Sequence, residues 1–325
     1  MTSAPSSKQR DPKAREPKPR EQKERSRWFR LVWLIPLVLV VLAVLVLLAR
    51  WLRYSSAGAD FLTAYPGQYP LPGFAPTGFP AWLNWQHALN AFFLILIVRT
   101  GWLVRTNKRP GAFWTRNNSG PIRTKNPPRK ISIDLWLHLS LDALWVLNGV
   151  VFWVLLFCTG QWSRVIPTSW RVFPDAASAL LQYASLDWPT EDGWANYNSL
   201  QQLSYFLVVF IAAPVALATG LRMSNAWPKD ATRLNRAYPI ELARALHFPT
   251  MLFFVLFVIV HVTLVLATGA LRNLNHMYGS SDSAGSWLGF ALFAVSVVVM
   301  AAAWVAARPV FLGPLASLTG KVTAR

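Results

Sequence analysis

The chain has 325 residues, of which 54% are hydrophobic and only 14% charged, and its formal net charge is +18. A soluble domain of this length is less apolar; long apolar runs account for the excess and indicate membrane spans. A single cysteine, Cys158, excludes a disulfide framework, and the absence of C-x-x-C-H and of a cysteine cluster excludes covalent haem attachment and iron–sulfur ligation.

Residues 1–30 hold ten Lys/Arg and four Asp/Glu among Pro and Ser. Such a stretch buries too little apolar surface to fold, and reads as a disordered basic cytoplasmic tail drawn to the anionic face of a bilayer. No stacking aromatics or binding motif accompany its charge, so no nucleic-acid partner is expected. "LVWLIPLVLVVLAVLVLL" follows at 31–48, long enough to span and without a small-x-small cleavage site after it. Residues 31–53 are therefore expected to be an uncleaved anchor helix rather than a signal peptide.

Five more apolar runs follow, at about 82–104, 133–157, 199–221, 246–268 and 287–307, the last a C-terminal transmembrane helix. The alternate connections differ in charge. Segments 1–30, 105–130, 222–246 and 308–325 carry ten, eight, five and three Lys/Arg, twenty-six in all. Segments 50–81, 159–198 and 269–286 carry two, two and one, five in all. The positive-inside rule then predicts a multi-pass protein of the cell membrane with both termini cytoplasmic. The fold class expected is an all-α integral membrane protein with six transmembrane helices. Trp162, Trp170, Trp188 and Trp194 in the outer loops suit the headgroup level, as interfacial caps.

Four of the five histidines fall within spans: His87, His138, His247 and His261. Ionisable groups are costly there and tend to mark function. Fourteen residues separate His247 from His261, which is about 21 Å of helix and within roughly 40° of four whole turns, so both rings leave one face. Pro249 lies between them and is capable of rotating one against the other. By depth, His138 and His247 are inner, and His87 and His261 outer. Two stacked bis-imidazole sites are what two b-type haems require.

These residues carry a resemblance. "NWQHALNAFFLILIVRTG", "LWLHLSLDALW", the His-x13-His helix, and "YNSLQQLSYFLVVFIAAPVALATGLRM", which has no ligand, resemble the four-helix di-haem core of prokaryotic cytochrome b subunits. These are the cytochrome b or gamma subunits of respiratory formate dehydrogenase and nickel–iron hydrogenase. The resemblance covers residues 82–268; the first and last spans lie outside the family's minimal pattern. It implies His87 paired with His261 and His138 with His247, each pair holding one non-covalent haem b. It also implies electron transfer between the quinone pool, menaquinone or another quinone, and a peripheral oxidoreductase subunit, with a quinone or quinol as a further ligand.

Asp134, His138 and Asp142 share one helix face by their spacing of four. Asp134 reads as a helix-start residue. Asp142 reads as an acceptor for a ligand's spare ring N–H, a proton relay, or a packed and paired residue. Arg99 and Arg244 are candidates to pair with haem propionates, and Arg222 a snorkelling residue at the inner edge. Gly149, Gly160 and Gly220 would admit a macrocycle or close helix contact. His276 reads as a surface residue of a short outer loop. No substrate-converting site is evident, so any enzyme activity would belong to a complex. The competing reading, a proton-coupled transporter with an intramembrane histidine relay, needs a polar path between the two levels. The residues between Thr250 and His261 are apolar instead.

Overall fold

The computed structural model describes residues 21–119, 127–188, 192–228 and 230–324. The first twenty residues of the basic tail lie outside these, as do 120–126 of the second basic loop. Six helices among the described residues are long and apolar enough to cross a membrane: Val32–Tyr54, Ala81–Thr106, Ile133–Cys158, Ser199–Met223, Ile240–Ala267 and Leu288–Ala306. They are spans one to six. The helix containing span one begins at Glu21, so its first turns run through residues whose composition reads as tail.

Spans two and three pack closely against each other, and span five packs closely on the C-terminal part of span four, whereas close backbone approach between the two pairs is sparse. Aromatic rings bridge the pairs instead. Trp153 lies 5.4 Å from Phe210, Trp102 lies 6.2 Å from Phe248, and Trp145 lies 6.4 Å from Phe254, all between ring centroids. Large flat side chains thus hold the pairs together while keeping their backbones apart. Span six leans on span two. Span one stands apart, its apolar side chains largely exposed, and meets the rest at its C-terminal end; that end of the bundle is called outer, and the opposite end inner, after the expectation from loop charge. There Arg53 donates to Ser185 Oγ (3.0 Å) and to the carbonyl of Asp187, whose carboxylate it also pairs with at 3.1 Å.

Two prolines shape the second pair. Pro214 in span four offers no N–H to the preceding turn. The helix answers with a π-helical segment, Leu207–Ala212, in which the amide of Ala213 bonds to the carbonyl of Val208 five residues back. That extra residue turns the remainder of the span by about 100°. In span five, Pro249 sits inside a helix that runs unbroken from Ile240 to Ala267.

The helical class expected from the apolar runs holds for the membrane-spanning body, with one addition at the inner end. Ala112–Arg116 (β1) pairs antiparallel with Ile131–Ser132 (β2) on one side and with Gly320–Ala324 (β3) on the other. With the short helix Pro309–Ser317, these strands cover an apolar cluster of Leu96, Ile133, Trp136, Leu137, Leu141 and Leu312. This cluster of buried apolar residues is built on spans two and three and the C-terminal segment rather than between the helix pairs.

The outer end is capped by residues 54–80, the helix Val172–Ala184, and the helix Ala270–Gly279. Its interior is polar. Arg164 is fully buried; its two terminal nitrogens donate to the carbonyls of Gly78 and Gly193, each at 2.7 Å. The same guanidinium lies 4.8 Å from the Phe79 ring and 4.6 Å from Tyr197. Gln202, at the start of span four, accepts from Tyr69 Oη at 2.7 Å. Arg164→Ala would take a donor from both carbonyls, leaving Gly193 without this bond and Gly78 with Gln161 Nε2 at 3.2 Å, at a cost of about 2–4 kcal/mol. Thermal unfolding of the protein in lipid nanodiscs should show a lower midpoint for Arg164→Ala, and little recovery in Arg164→Lys, which lacks the fork. An unchanged midpoint would remove Arg164 as the organiser of the cap.

Candidate functional site

The four membrane histidines meet in two pairs across the gap between the helix pairs. At the outer level, the rings of His87 on span two and His261 on span five have centroids 6.3 Å apart. At the inner level, His138 on span three and His247 on span five stand 6.5 Å apart. Pro249 does not take either ring off the shared face. Between the levels lies a layer of Trp145 and Phe254, with the Trp145 indole N–H donating to Asn90 Oδ1 at 3.1 Å. Phe254 is seven residues from each histidine of its helix, at the middle of the stack.

The two levels differ in what surrounds the rings. His261 stacks on Phe257 at 5.5 Å and takes Tyr205 edge-on at 6.1 Å, and His87 takes Tyr278 edge-on at 5.7 Å. The Nδ1 atom of His87 is buried with no hydrogen-bond partner. The inner rings are hydrogen-bonded: His138 Nδ1 to Thr100 Oγ1 at 3.0 Å, and His247 Nδ1 to Thr219 Oγ1 at 2.8 Å.

The residues present fit an iron porphyrin held by two imidazoles. With a metal–nitrogen bond of about 2 Å and a ring nitrogen roughly 1.1 Å from its centroid, two imidazoles on one metal stand about 6.3 Å apart. Both observed separations match this spacing. Imidazoles that approach each other from opposite helix pairs, among apolar and aromatic side chains, are the donor type and setting that a b-type haem needs.

The family comparison agrees with this chemistry. The family model for prokaryotic cytochrome b561 matches residues 78–280, a stretch that contains all four histidines. The chain belongs to the prokaryotic cytochrome b561 family. It is thus a multi-pass membrane b-type cytochrome, whose work is electron transfer. Among curated proteins, the cytochrome is 25% identical over 197 residues to one of Azospira oryzae described as a putative protein-methionine-sulfoxide reductase subunit YedZ1; the alignment covers 57% of this chain and 88% of that one. No solved structure matches it at a significant level.

Other residues singled out by the sequence fall in different places. Asp142 Oδ2 stands 3.6 Å from Nε2 of His138, the nitrogen opposite the one that Thr100 engages. Nδ1 is thus engaged by a threonine, and Asp142 stands near the opposite nitrogen of the ring. Arg99 is one residue from Thr100, about 100° round the helix. Its guanidinium lies 5.3 Å from the Trp304 ring of span six, outside the gap. Arg244 is exposed one turn inward of His247. Arg222 donates to the carbonyl of Tyr238 at 2.7 Å and ties the 224–239 segment to span four. Asp134 is buried at the start of span three, accepting from Asn107 Nδ2 at 3.2 Å. Gly149 faces open space, Gly160 is the left-handed residue ending span three, and Gly220 lies beside His247.

His276 corrects the sequence expectation of a surface residue. It lies on the helix Ala270–Gly279, only 4% exposed, stacked on Phe79 at 5.6 Å and against Trp194 at 5.3 Å. Its Nε2 donates to Asp282 Oδ1 at 2.6 Å. Hydrogen bonds first from Arg272 and then from His276 hold the Asp282 carboxyl at about 2, below its usual 3.8. Burial there comes from Phe79 and Trp194, distant in sequence, which a local reading of the loop does not reveal. Thr100, Gly101 and Thr219 were also outside the candidate set. Their signal is a Thr-Gly pair recurring in spans two and four, on the helix next to each inner histidine.

Proposed function

We propose that the cytochrome holds two non-covalent b haems, one between His87 and His261 and one between His138 and His247, and passes electrons along the membrane normal. The observation that carries this reading is the pair of imidazole–imidazole separations, 6.3 and 6.5 Å, each close to the span of one six-coordinate iron. A haem so held supplies one-electron exchange at its iron. The chain's own residues do the rest. Spans two and three present one ligand per level and span five presents the other. The aromatic bridges set the width of the gap, and the Trp145–Phe254 layer keeps the levels distinct. Arg244, a turn inward of His247, is placed to meet an inner propionate; Arg99 is engaged by Trp304 and is not assigned that role.

One end of the electron path is a peripheral oxidoreductase subunit, a reading supported by the relative described as a reductase subunit. The other is a membrane quinone, menaquinone or a related one, for which the spans provide the lipid setting. The asymmetry of Lys/Arg between alternate loops supports both termini on the cytoplasmic side, which sets His87 and His261 toward the outer face. A histidine proton relay is disfavoured by the aromatic and apolar layer between the levels.

Redox titration of single alanine variants tests the pairing. His87→Ala and His261→Ala should each remove the same haem component and leave the other largely intact, and His138→Ala and His247→Ala should do the reverse. Loss of one component in both His87→Ala and His247→Ala would overturn the pairing. Orientation is tested by labelling single cysteines in a Cys158→Ser background with a membrane-impermeant thiol reagent on spheroplasts. Thr63→Cys should react and Asn118→Cys should not; the opposite result would invert the protein.

A further inference from the structure

The inner histidines are held by the same device on two different helices. Thr100 Oγ1 lies 2.8 Å from the carbonyl of Leu96, four residues back, and Thr219 Oγ1 lies 2.7 Å from the carbonyl of Val215, also four back. A hydroxyl has one proton to give and two lone pairs to offer. With the proton given to its own helix, each hydroxyl can only accept from the imidazole in front of it. Nδ1 of His138 and of His247 must therefore carry the hydrogen and donate, which leaves Nε2 bare as the ligand nitrogen.

The next residue in each case is glycine, and each stands against the same ring. A Cβ at Gly101 would lie 3.2 Å from Cε1 of His138, tighter than ordinary contact, and one at Gly220 would lie 3.6 Å from Cε1 of His247. Each threonine belongs to the helix packed beside its histidine's own helix, within one pair, so the ring is fixed from behind and aimed across the gap. Both threonines are fully buried. At the outer level the corresponding nitrogen of His87 is buried and unpartnered, and aromatic rings flank His261.

We infer that Thr100 and Thr219 are positioning residues that fix the tautomer and plane of the two inner histidines and make the inner site the lower-potential of the two. The inference rests on the di-haem reading above. A ligand imidazole that donates its second N–H to an oxygen is a stronger base toward the metal. A more basic axial ligand favours the oxidised, more positive iron. Both inner ligands have that partner, and at the outer level His87 has none.

The test is a redox titration of the purified, haem-loaded full-length protein, with low-temperature electron paramagnetic resonance on the oxidised sample. Thr100→Val and Thr219→Val keep the shape and remove the hydroxyl. Each should raise the reduced-to-oxidised ratio of the inner component about three- to tenfold at fixed potential, tenfold being about 59 mV for one electron. Each should also shift the inner low-spin signal and leave the outer component where it was. Thr100→Ser and Thr219→Ser should restore both readouts. A shift in the outer component, no shift in either, or a failure of serine to restore it would overturn the assignment. A second arm needs no threonine variant: in the otherwise unaltered protein, the component lost in His138→Ala should be the lower-potential one. If it is the higher, the inference falls. A wild-type protein with a single component would overturn the di-haem reading and this inference together, whereas two components with an unmoved inner one would overturn this inference alone.

Discussion

Two imidazoles facing each other across a gap wide enough for one metal ion, repeated at two depths, is the constraint on which the rest of the structure depends. A four-helix bundle with nothing at its centre would close up, because dispersion rewards every atom pair brought into contact. Here the two helix pairs are close within themselves and held apart from each other by Trp145, Trp153, Phe210 and Phe254. Aromatic spacers set a width that small side chains would collapse. The cluster of buried apolar residues lies elsewhere, on spans two and three where the C-terminal helix and the small sheet brace the first pair.

Polar groups inside a bilayer need partners within the protein, and the distribution of partners differs by level. Threonines supply the inner rings. The outer rings rely on aromatic contact, and just beyond them the chain becomes densely polar, with Arg164 forked between two carbonyls and Asn275 bonded to Ser283, Ser286 and Gly289. That cap covers the outer histidine level with a rigid layer rather than with loose loops. Residues Phe79 and His276 stack within it, so the segment entering span two and the helix following span five are tied together above His87 and His261. Locking the two segments fixes His87 and His261, which their spans carry, relative to each other.

Much of this is legible in the sequence, for particular physical reasons. Apolar runs mark all six spans because a bilayer imposes a minimum length that soluble helices need not meet. The level of each histidine follows from its distance to the span's end, and His247 and His261 share a face because fourteen residues nearly complete four turns. What is hidden depends on partners far away. Thr100 and Thr219 look like ordinary helix threonines bonding to their own carbonyls, and only the neighbouring helix shows that the same oxygen accepts from a histidine. β1 and β3 are each five residues long and lie some two hundred residues apart, so neither announces its pairing. Arg99 and Asp142 show the limit of periodicity: the sequence places both near the inner level, yet one turns to Trp304 and the other to Nε2 of His138.

The number of haems per chain measures the central point most directly. Purified protein, quantified by amino-acid analysis and converted to the pyridine haemochrome, should yield two b-type haems per polypeptide, all extractable by acidified organic solvent. One haem per chain would mean that one of the two imidazole pairs serves another purpose. None would contradict the reading of these histidines as iron ligands altogether.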